Sequence, residues 1–490
     1  MPLFDSLRTT AARQPESLAI VDDLGRYTYA QLAARAAGIA RMLEEGTQRP
    51  HVGLLLPTGA GFVTSFYGVL MAGKAVVPLN FLLGELEIAH CVRDSGIDAV
   101  VTIPQLAGRV DGLGVRVVDL SRLPHSASPA FADQLRTPGK AADDLAVLMY
   151  TSGTSGVPKG VPLTHANLQS NVDAAIEHMN FQNSHTFLGI LPLFHVFGLN
   201  AMMLAPVQLG ATVVYQSRFV PAGVVNAIKE HRISLLGAVP SMYAAMLRLK
   251  EASADDFRSV YAMISGGEPL PAMLVEAFRA RFGVTLLDAY GMTETSLAIA
   301  LNTPHAHKAG SVGRLVPGMQ ARVVDDAGND VPDGQTGEIW VKGPMVMSRY
   351  HNLAAESAAV LTDDGFFKTG DLGKRDAEGF LYLTGRKKDL IIVSGEKVSP
   401  REVEDALMKH PGVAEAAVVG REDATRGEVV TAFVICRPGV QLASEDLREH
   451  CRQHGLPSWK LPRELHFLSD FPRSPTGKVL KRMLVPPPRV

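Results

Sequence analysis

The chain has 490 residues, enough for about three domains, and its 46% hydrophobic and 20% charged residues describe a globular protein with a substantial core. A net charge of -2 excludes the basic face of a nucleic-acid binder and the acidic excess of a disordered chain. Three cysteines, Cys91, Cys436 and Cys451, without CxxC spacing, exclude a disulfide framework and fit a reducing, cytoplasmic setting.

The N-terminal stretch MPLFDSLRTTAARQPE has no apolar core of the signal-peptide kind. The most apolar span, GFVTSFYGVLMAG, has about 13 residues, short of a membrane-spanning helix. From His51 the chain alternates: HVGLLLP is a short apolar run, GAGFVTSFYGVLMAG has helical spacing with Gly73 as C-cap, and KAVVPLN is again extended. ELEIAHCVRDSG and IDAVVT repeat the unit. A polar stretch over 121–144 follows, and then LAVLMYTSG, TFLGILPLFH, ATVVYQ, ISLLGAVP, YAMISGG and VTLLDAYG read as strands with helices between. This alternation predicts α/β architecture, a large N-terminal domain of helix-sandwiched sheets. From about 310 the short runs are punctuated by Gly, Pro and Asp-Gly turns, which predicts a small antiparallel, barrel-like subdomain. The last hundred residues read as a small mobile α+β domain. The charged turn GRKKDL sets the boundary, giving domains 1–387 and 388–490.

One loop carries chemistry. YTSGTSGVPKG, residues 150–160, is rich in hydroxyls and glycines but is not a Walker loop: Val157-Pro158 precede Lys159, and Gly160 stands where the hydroxyl would be. A helix is expected only after Thr164 as N-cap, so the loop turns strand into strand. Thr151, Ser152, Thr154 and Ser155 offer donors, and Gly153 and Gly156 let backbone N–H groups approach an anion.

The loop resembles the phosphate loop of the adenylate-forming superfamily, which includes acyl-CoA synthetases, peptide-synthetase adenylation domains and beetle luciferases. The likeness continues in order through LPLFHVFGLN (191–200), SGGEPL (265–270), YGMTET (290–295), TGD (369–371), GRKKDLIIVSGEKVSP (385–400) and PRSPTGK (472–478). It implies an enzyme that uses ATP, Mg2+ and coenzyme A to convert a carboxylic acid to acyl-AMP and then to a thioester.

By that resemblance, Thr151 to Gly156 and Lys159 hold the β- and γ-phosphates, with Thr154 and Glu294 near the metal, since a hard cation favours oxygen ligands. Thr293 donates to the α-phosphate. Tyr290, with Gly291 and Met292, forms the adenine platform, Asp288 meets the exocyclic amine, and Gly267, Glu268 and Pro269 wall the other face. Asp371 accepts from the ribose hydroxyls, with Arg386 beside it. Lys478 bridges the carboxylate and the α-phosphate, and His195 lies near the reacting acid. Lys388 is the hinge for the C-terminal domain, Gly395 lines the pantetheine path, and Lys397 touches the phosphate of AMP or CoA. Lys478 is also the expected target of a lysine acetyltransferase and deacetylase.

Peptide-synthetase adenylation domains hold an α-amine with an Asp near the LPLFHVFG segment, where this chain has His195, Val196 and Phe197. Beyond Lys478 the sequence runs only from Val479 to Val490, so no carrier domain is expected there. The acid is expected against His195, Phe197, Asn200, Gly266, Gly267 and Thr295, with Gly266 and Ala298 leaving depth for a tail. Ala289 stands where a malonate-specific branch carries arginine. A medium- or long-chain fatty acid, or an aromatic acid such as a cinnamate, fits best. The alternatives are a standalone enzyme loading an acyl carrier protein, or a non-catalytic nucleotide-binding relative.

Overall fold

The computed structural model describes residues 2–44, 46–122, 139, 141–152, 157–423, 425–473 and 479–485. Most of the polar stretch over 121–144, the loop centre Gly153–Gly156 and Lys478 fall outside the described residues, as does the side chain of Ser152. The chain divides into two compact units. The first is Met1–Gln320 with Val341–Phe367; the second is Ala321–Trp340 with Lys368–Val490.

The first unit has the alternation expected from the sequence. His51–Leu55, Ala75–Pro78 and Ala99–Thr102 are buried parallel strands of one sheet, with the helices Ala60–Met71 and Glu85–Ser95 between them. The first helix ends at Met71, where Ala72 donates to Gly68 O and Gly73, at φ 71°, donates to Leu70 O. Glycine is needed there because a side chain disfavours that left-handed geometry. Leu145–Ser152 joins this sheet beside Ala75–Pro78 and pairs antiparallel with Pro158–Thr164.

A second sheet carries the parallel strands Leu286–Met292, Ala262–Ser265, Leu235–Ala238, Thr186–Gly189, Thr212–Tyr215 and Leu18–Asp22, in that spatial order. Apolar side chains of the strands and of the helices Pro221–His231, Pro240–Leu247 and Ala272–Phe282 close a core around Tyr243, Phe257 and Phe278. TFLGILPLFH is a strand only to Gly189. Pro192 lacks an N–H for a ladder, and the chain turns there into the helix Val196–Leu199.

In the second unit, which the chain re-enters at Lys368, the strand Phe367–Arg375 pairs antiparallel with Phe380–Arg386 through Asp371–Arg375. Beyond them lie the hairpin Ile391–Val393/Glu396–Val398, the helix Pro400–Met408, the long strands Val413–Asp423 and Gly427–Cys436, the helix Ser444–Gln453 and the strand Glu464–Phe467. Their apolar faces meet around Val403, Leu407, Val430 and Leu447. The α/β class with a smaller α+β region matches the reading of the sequence.

Candidate active site

The phosphate-loop motif sits on a strand-to-strand turn: Thr151 faces Lys159, and Ser152 faces Pro158, across the ladder. Thr164 caps the following helix, His165–Met179, accepting from Asn167 N while Asn167 Oδ1 accepts from Thr164 N at 3.0 Å. Such a cap stabilises a helix by about 1 kcal/mol and fixes where the extended segment stops. The two strands are tied down from both sides. Tyr150 donates its phenol to Asp94 Oδ2 at 2.7 Å, His351 N donates to Gly160 O at 2.9 Å, and His90 Nε2 lies 3.0 Å from Pro158 O. Burial, with the Asp94 carboxylate next, pushes the Tyr150 phenol up, so it stays a donor.

The other motifs of this unit converge because the sheet aligns their strands. Ala238 registers with Ser265, and Ser265 with Asp288, so the segments that follow these strands leave the sheet along one edge. The carboxyl edge of a parallel sheet is the usual ligand site in open α/β folds. Gly267, Glu268 and Pro269 follow Ser265, and Gly267 adopts φ 85°, which favours glycine. Asp288 Oδ1 accepts from Ala289 N at 3.0 Å, and Asn302 Nδ2 donates to the Asp288 carbonyl at 3.0 Å.

At Tyr290 the sheet changes character. Asp288 is still parallel to Ser265, but from Ala289 the strand pairs antiparallel with Leu297–Leu301, and the register shifts between Tyr290 and Gly291. A Cβ on Gly291 would lie 1.8 Å from Leu297 O, so no other residue fits. Thr293–Thr295 then forms a tight turn, followed by Ser296 at φ 58° and Leu297 at φ 126°. Backbone held in such regions costs about 1–3 kcal/mol per residue and persists only where neighbours enforce it.

Two buried asparagines do the enforcing. Asn171 donates to Thr295 O at 3.2 Å and Ala298 O at 2.9 Å, and its Oδ1 accepts from Ala298 N at 3.2 Å. Asn200 donates to Ser296 O from a π-helical segment, Asn200–Leu204. Asn200, expected to face substrate, is tied to this turn. Thr295 is fully buried, with its hydroxyl 3.1 Å from both Met292 O and Leu297 O. Asn171 carries no motif signal, being a polar residue inside an ordinary amphipathic helix.

Glu294 has a partner that the sequence reading missed. Tyr350 donates its phenol to Glu294 Oε1 at 2.9 Å, and Lys159 Nζ sits 5.4 Å from the centre of the same tyrosine ring. Among the described residues no group of three His, Cys, Asp or Glu is arranged to hold a metal. A single carboxylate fits Mg2+, which usually takes one or two protein oxygens plus water and substrate phosphates rather than a protein cage.

His195 caps the helix Val196–Leu199: its Nδ1 accepts from Phe197 N at 3.3 Å, which in the neutral ring leaves the proton on Nε2. A Cβ on Gly198 would lie 2.2 Å from Pro192 O, so the turn requires glycine there. Phe197 is buried. A Cβ on Gly266 would meet its Cε1 at 3.2 Å, and one on Gly237 would meet its Cε2 at 3.0 Å. The Phe197 ring therefore narrows the depth expected beside Gly266. The backbone of Ala298, also expected to leave depth, is bonded to Asn171.

The second unit holds the remaining motif residues. Asp371 and Arg386 are cross-strand partners, and Asp371 N donates to Thr369 Oγ1 at 3.0 Å. Lys388 lies exposed in the short turn Lys387–Asp389. Its neighbour Lys387 contacts Glu338 at 3.0 Å and Asp326 at 3.4 Å, and Glu338 chiefly holds that amine above its ordinary range. Lys397 also pairs with Asp326. Ser394 and Gly395, at φ 52° and 87°, make the two-residue turn of the hairpin, so Gly395 has a backbone reason to be glycine.

Comparison with known proteins gives these observations a family. Residues 7–351 match the model of the AMP-binding enzyme, and 402–478 match the AMP-binding enzyme C-terminal domain. A long-chain-fatty-acid–CoA ligase of Escherichia coli O6:H1 is 31% identical over 533 residues, covering 98% of this chain and 94% of that protein. A sulfoacetate–CoA ligase of Cupriavidus necator is 36% identical over 448 residues, covering 89% and 87%. The crystal structure of ATP-bound MatB from Rhodopseudomonas palustris superposes with a TM-score of 0.90 at 31% identity, covering 98% of each chain. The chain belongs to the AMP-binding, adenylate-forming enzyme family. Within it, this is an AMP-forming acyl-CoA synthetase, an acid–thiol ligase. Among the described residues no helix is long and apolar enough to cross a membrane.

Proposed function

We propose that this acyl-CoA synthetase activates an uncharged carboxylic acid with an apolar tail, a medium- or long-chain fatty acid or an aromatic acid such as a cinnamate. The observation that carries this reading is the buried Phe197 ring lying over Gly237 and Gly266 at the carboxyl edge of the sheet, one segment from His195. Burying a second, unpaired carboxylate against such a wall costs several kcal/mol. The ring also shortens the space beside Gly266, which favours a flat or medium-length tail over a very long one. The two relatives named above are named for acids of opposite character, so the acid is argued from the residues around Phe197.

The enzyme uses ATP, Mg2+ and CoA. In the first half-reaction a carboxylate oxygen of the acid attacks the α-phosphorus, the new P–O bond forms, and the bond to the β-phosphate breaks to release pyrophosphate. Two anions must meet, so donors and cations have to face the charge that develops. Lys159 and the donors of Thr151–Gly156 would take the β- and γ-phosphates, Thr293 the α-phosphate and Lys478 the oxygens shared by acid and phosphate. Tyr290 would stack on adenine, with Gly291 and Met292 continuing the platform, Asp288 taking the amine and Gly267, Glu268 and Pro269 closing the opposite face. Asp371 and Arg386 would hold the ribose. Glu294, with Thr154, would hold Mg2+, whose charge offsets that of the phosphates. His195 would donate Nε2–H toward the acid.

In the second half-reaction the CoA sulfur attacks the acyl carbon, AMP leaves with the bonding pair, and the thiol proton passes to solvent. The domain beyond residue 387 would turn about Lys388 between the two steps, bringing Gly395 and Lys397 to the thiol's path. CoA is the favoured acceptor, with a carrier protein the second choice, and a cytoplasmic setting agrees with three unpaired cysteines.

ATP–pyrophosphate exchange across a panel of acids tests the reading. Octanoate, a longer acid or a cinnamate should exceed malonate and glycine in kcat/KM; malonate as the best substrate would overturn it. Measuring thioester formation with CoA and with a carrier protein then identifies the acceptor.

A further inference from the structure

Tyr350 lies in no motif that points to nucleotide chemistry, yet it touches two residues that do. Its phenol donates to Glu294 Oε1 at 2.9 Å, and its ring faces Lys159 Nζ at 5.4 Å from the ring centre. The backbone that delivers it is bonded to the same turn. Met347 N donates to Glu294 O at 2.8 Å, and Ser296 Oγ donates to Met345 O at 2.9 Å. On the far side Tyr350 N donates to Ser357 Oγ at 2.9 Å, and Ser357 Oγ donates to Leu353 O at 2.6 Å. Asn167, which closes the cap of the neighbouring helix, also donates to Pro344 O at 2.7 Å. Tyr350 is thus held at its own backbone, along the segment leading to it, and at its hydroxyl.

The geometry points to Tyr350 as a positioning residue that fixes the Glu294 carboxylate for the metal–nucleotide complex and couples it to Lys159 of the phosphate loop. This rests on the assignment of Glu294 and Lys159 made above. A carboxylate on a three-torsion side chain can rotate; a phenol donor on one oxygen fixes its plane and leaves its charge intact. A phenol ordinarily ionises only near pH 10, so at neutral pH the hydroxyl keeps its proton and remains a donor. The ring face attracts the Lys159 ammonium, worth about 0.5–2 kcal/mol depending on solvation. One side chain thereby sets the spacing between a cation on the loop and an anion on the turn.

The test uses the full-length protein and two variants, Tyr350→Phe and Glu294→Gln. Tyr350→Phe keeps the ring over Lys159 and removes only the donor. The main readout is binding: Mn2+ is titrated in the presence of unreactive α,β-methylene ATP, without acid, and free Mn2+ is followed by electron paramagnetic resonance. Melting temperature, and thioester formation from supplied acyl-adenylate, are measured beside it. The expected result is an Mn2+ dissociation constant raised at least about fivefold in Tyr350→Phe and more in Glu294→Gln, with the thioester step unchanged in Tyr350→Phe. If Glu294→Gln moves Mn2+ binding and Tyr350→Phe does not, the positioning role is overturned while the reading of Glu294 stands. If neither variant moves it, the assignment of Glu294 fails and the inference with it. A fall in melting temperature with thioester formation also reduced and Mn2+ affinity unchanged makes Tyr350 a packing residue only, which also overturns the proposal.

Discussion

Arg386 Nε lies 2.9 Å from Asp371 Oδ1, and the two residues face each other directly across an antiparallel pair of strands. The acid is buried at 6% side-chain exposure, while the arginine is 56% exposed. A half-exposed pair adds little to stability, about 0–1 kcal/mol. Its value is in orientation: the guanidinium holds one carboxylate oxygen and thereby sets the direction of the group.

If Asp371 holds the ribose, Asp371→Asn should raise KM for ATP at least about tenfold, a loss of roughly 1.4 kcal/mol of binding. Arg386→Ala should raise it less, since solvent replaces part of its contact. Steady-state kinetics on both and on the double variant test this. Additive effects would show that the arginine does not orient the acid.

The hinge assignment for Lys388 makes a different claim, about the balance of two steps. Lys388→Pro fixes φ in the turn Lys387–Asp389 and should leave adenylate formation near normal. Thioester formation should fall at least about tenfold, or roughly 1.4 kcal/mol in barrier. Single-turnover measurement of each half-reaction separates this from a structural defect, which would lower both alike.

For Lys478 the expected selectivity is reversed. Lys478→Ala removes the side-chain charge from the adenylating pose, so pyrophosphate exchange should be abolished while thioester formation from supplied acyl-adenylate persists. Homogeneous acetylation at Lys478 should behave the same way, because an amide carries no charge and one donor in place of three. A deacetylase should restore the modified protein and not the alanine variant. Unchanged exchange after acetylation would mean that Lys478 is a surface lysine.

Acid should weaken the second unit at a known place. His450 packs against His410 and His454 with ring centres 4.9 and 4.0 Å apart, and burial, then His454 and His410, hold its pKa below the ordinary value. Lys409 pushes in the same direction, and a backbone contact at Ala406 opposes it. The unfolded chain then binds the proton more readily than the folded one. Stability is present above about pH 6.5 and is lost as pH falls from there toward the lowered native value. The drop in Tm between about pH 7.5 and 5.5 should be larger in the parent than in His450→Asn, measured by thermal melts at each pH. Equal drops would remove His450 as the cause.

Much of this molecule was legible in the sequence because its strands are short apolar runs bounded by turn residues, so HVGLLLP and AVVP announced themselves. The cap at Thr164 was legible for a local reason too, since a cap needs only the residues next to it. What the sequence concealed is long-range. Tyr350 reaches Glu294 across 56 residues and Asn171 reaches Ala298 across 127, and neither looks unusual among its neighbours. The order of strands that brings Ala238, Ser265 and Asp288 to one edge is likewise a property of pairing. The π-helical turn at Asn200 has no mark in composition. Phe197 shows a further long-range effect: its ring lies against Gly266 and Gly237, a closeness that neither segment shows in its own sequence.

That ring and its two glycines are a ball in a socket. If the tail lies here, as proposed, the volume open to it is set by one large side chain on one segment and two missing side chains on others. An exchange of Phe197 for a small residue would open space, and a methyl at Gly266 would take back only part of it. Removing the ring alone would cost about 3–5 kcal/mol, so a change of acid made here would call for compensating steps nearby, while the residues proposed to hold the nucleotide stay where they are.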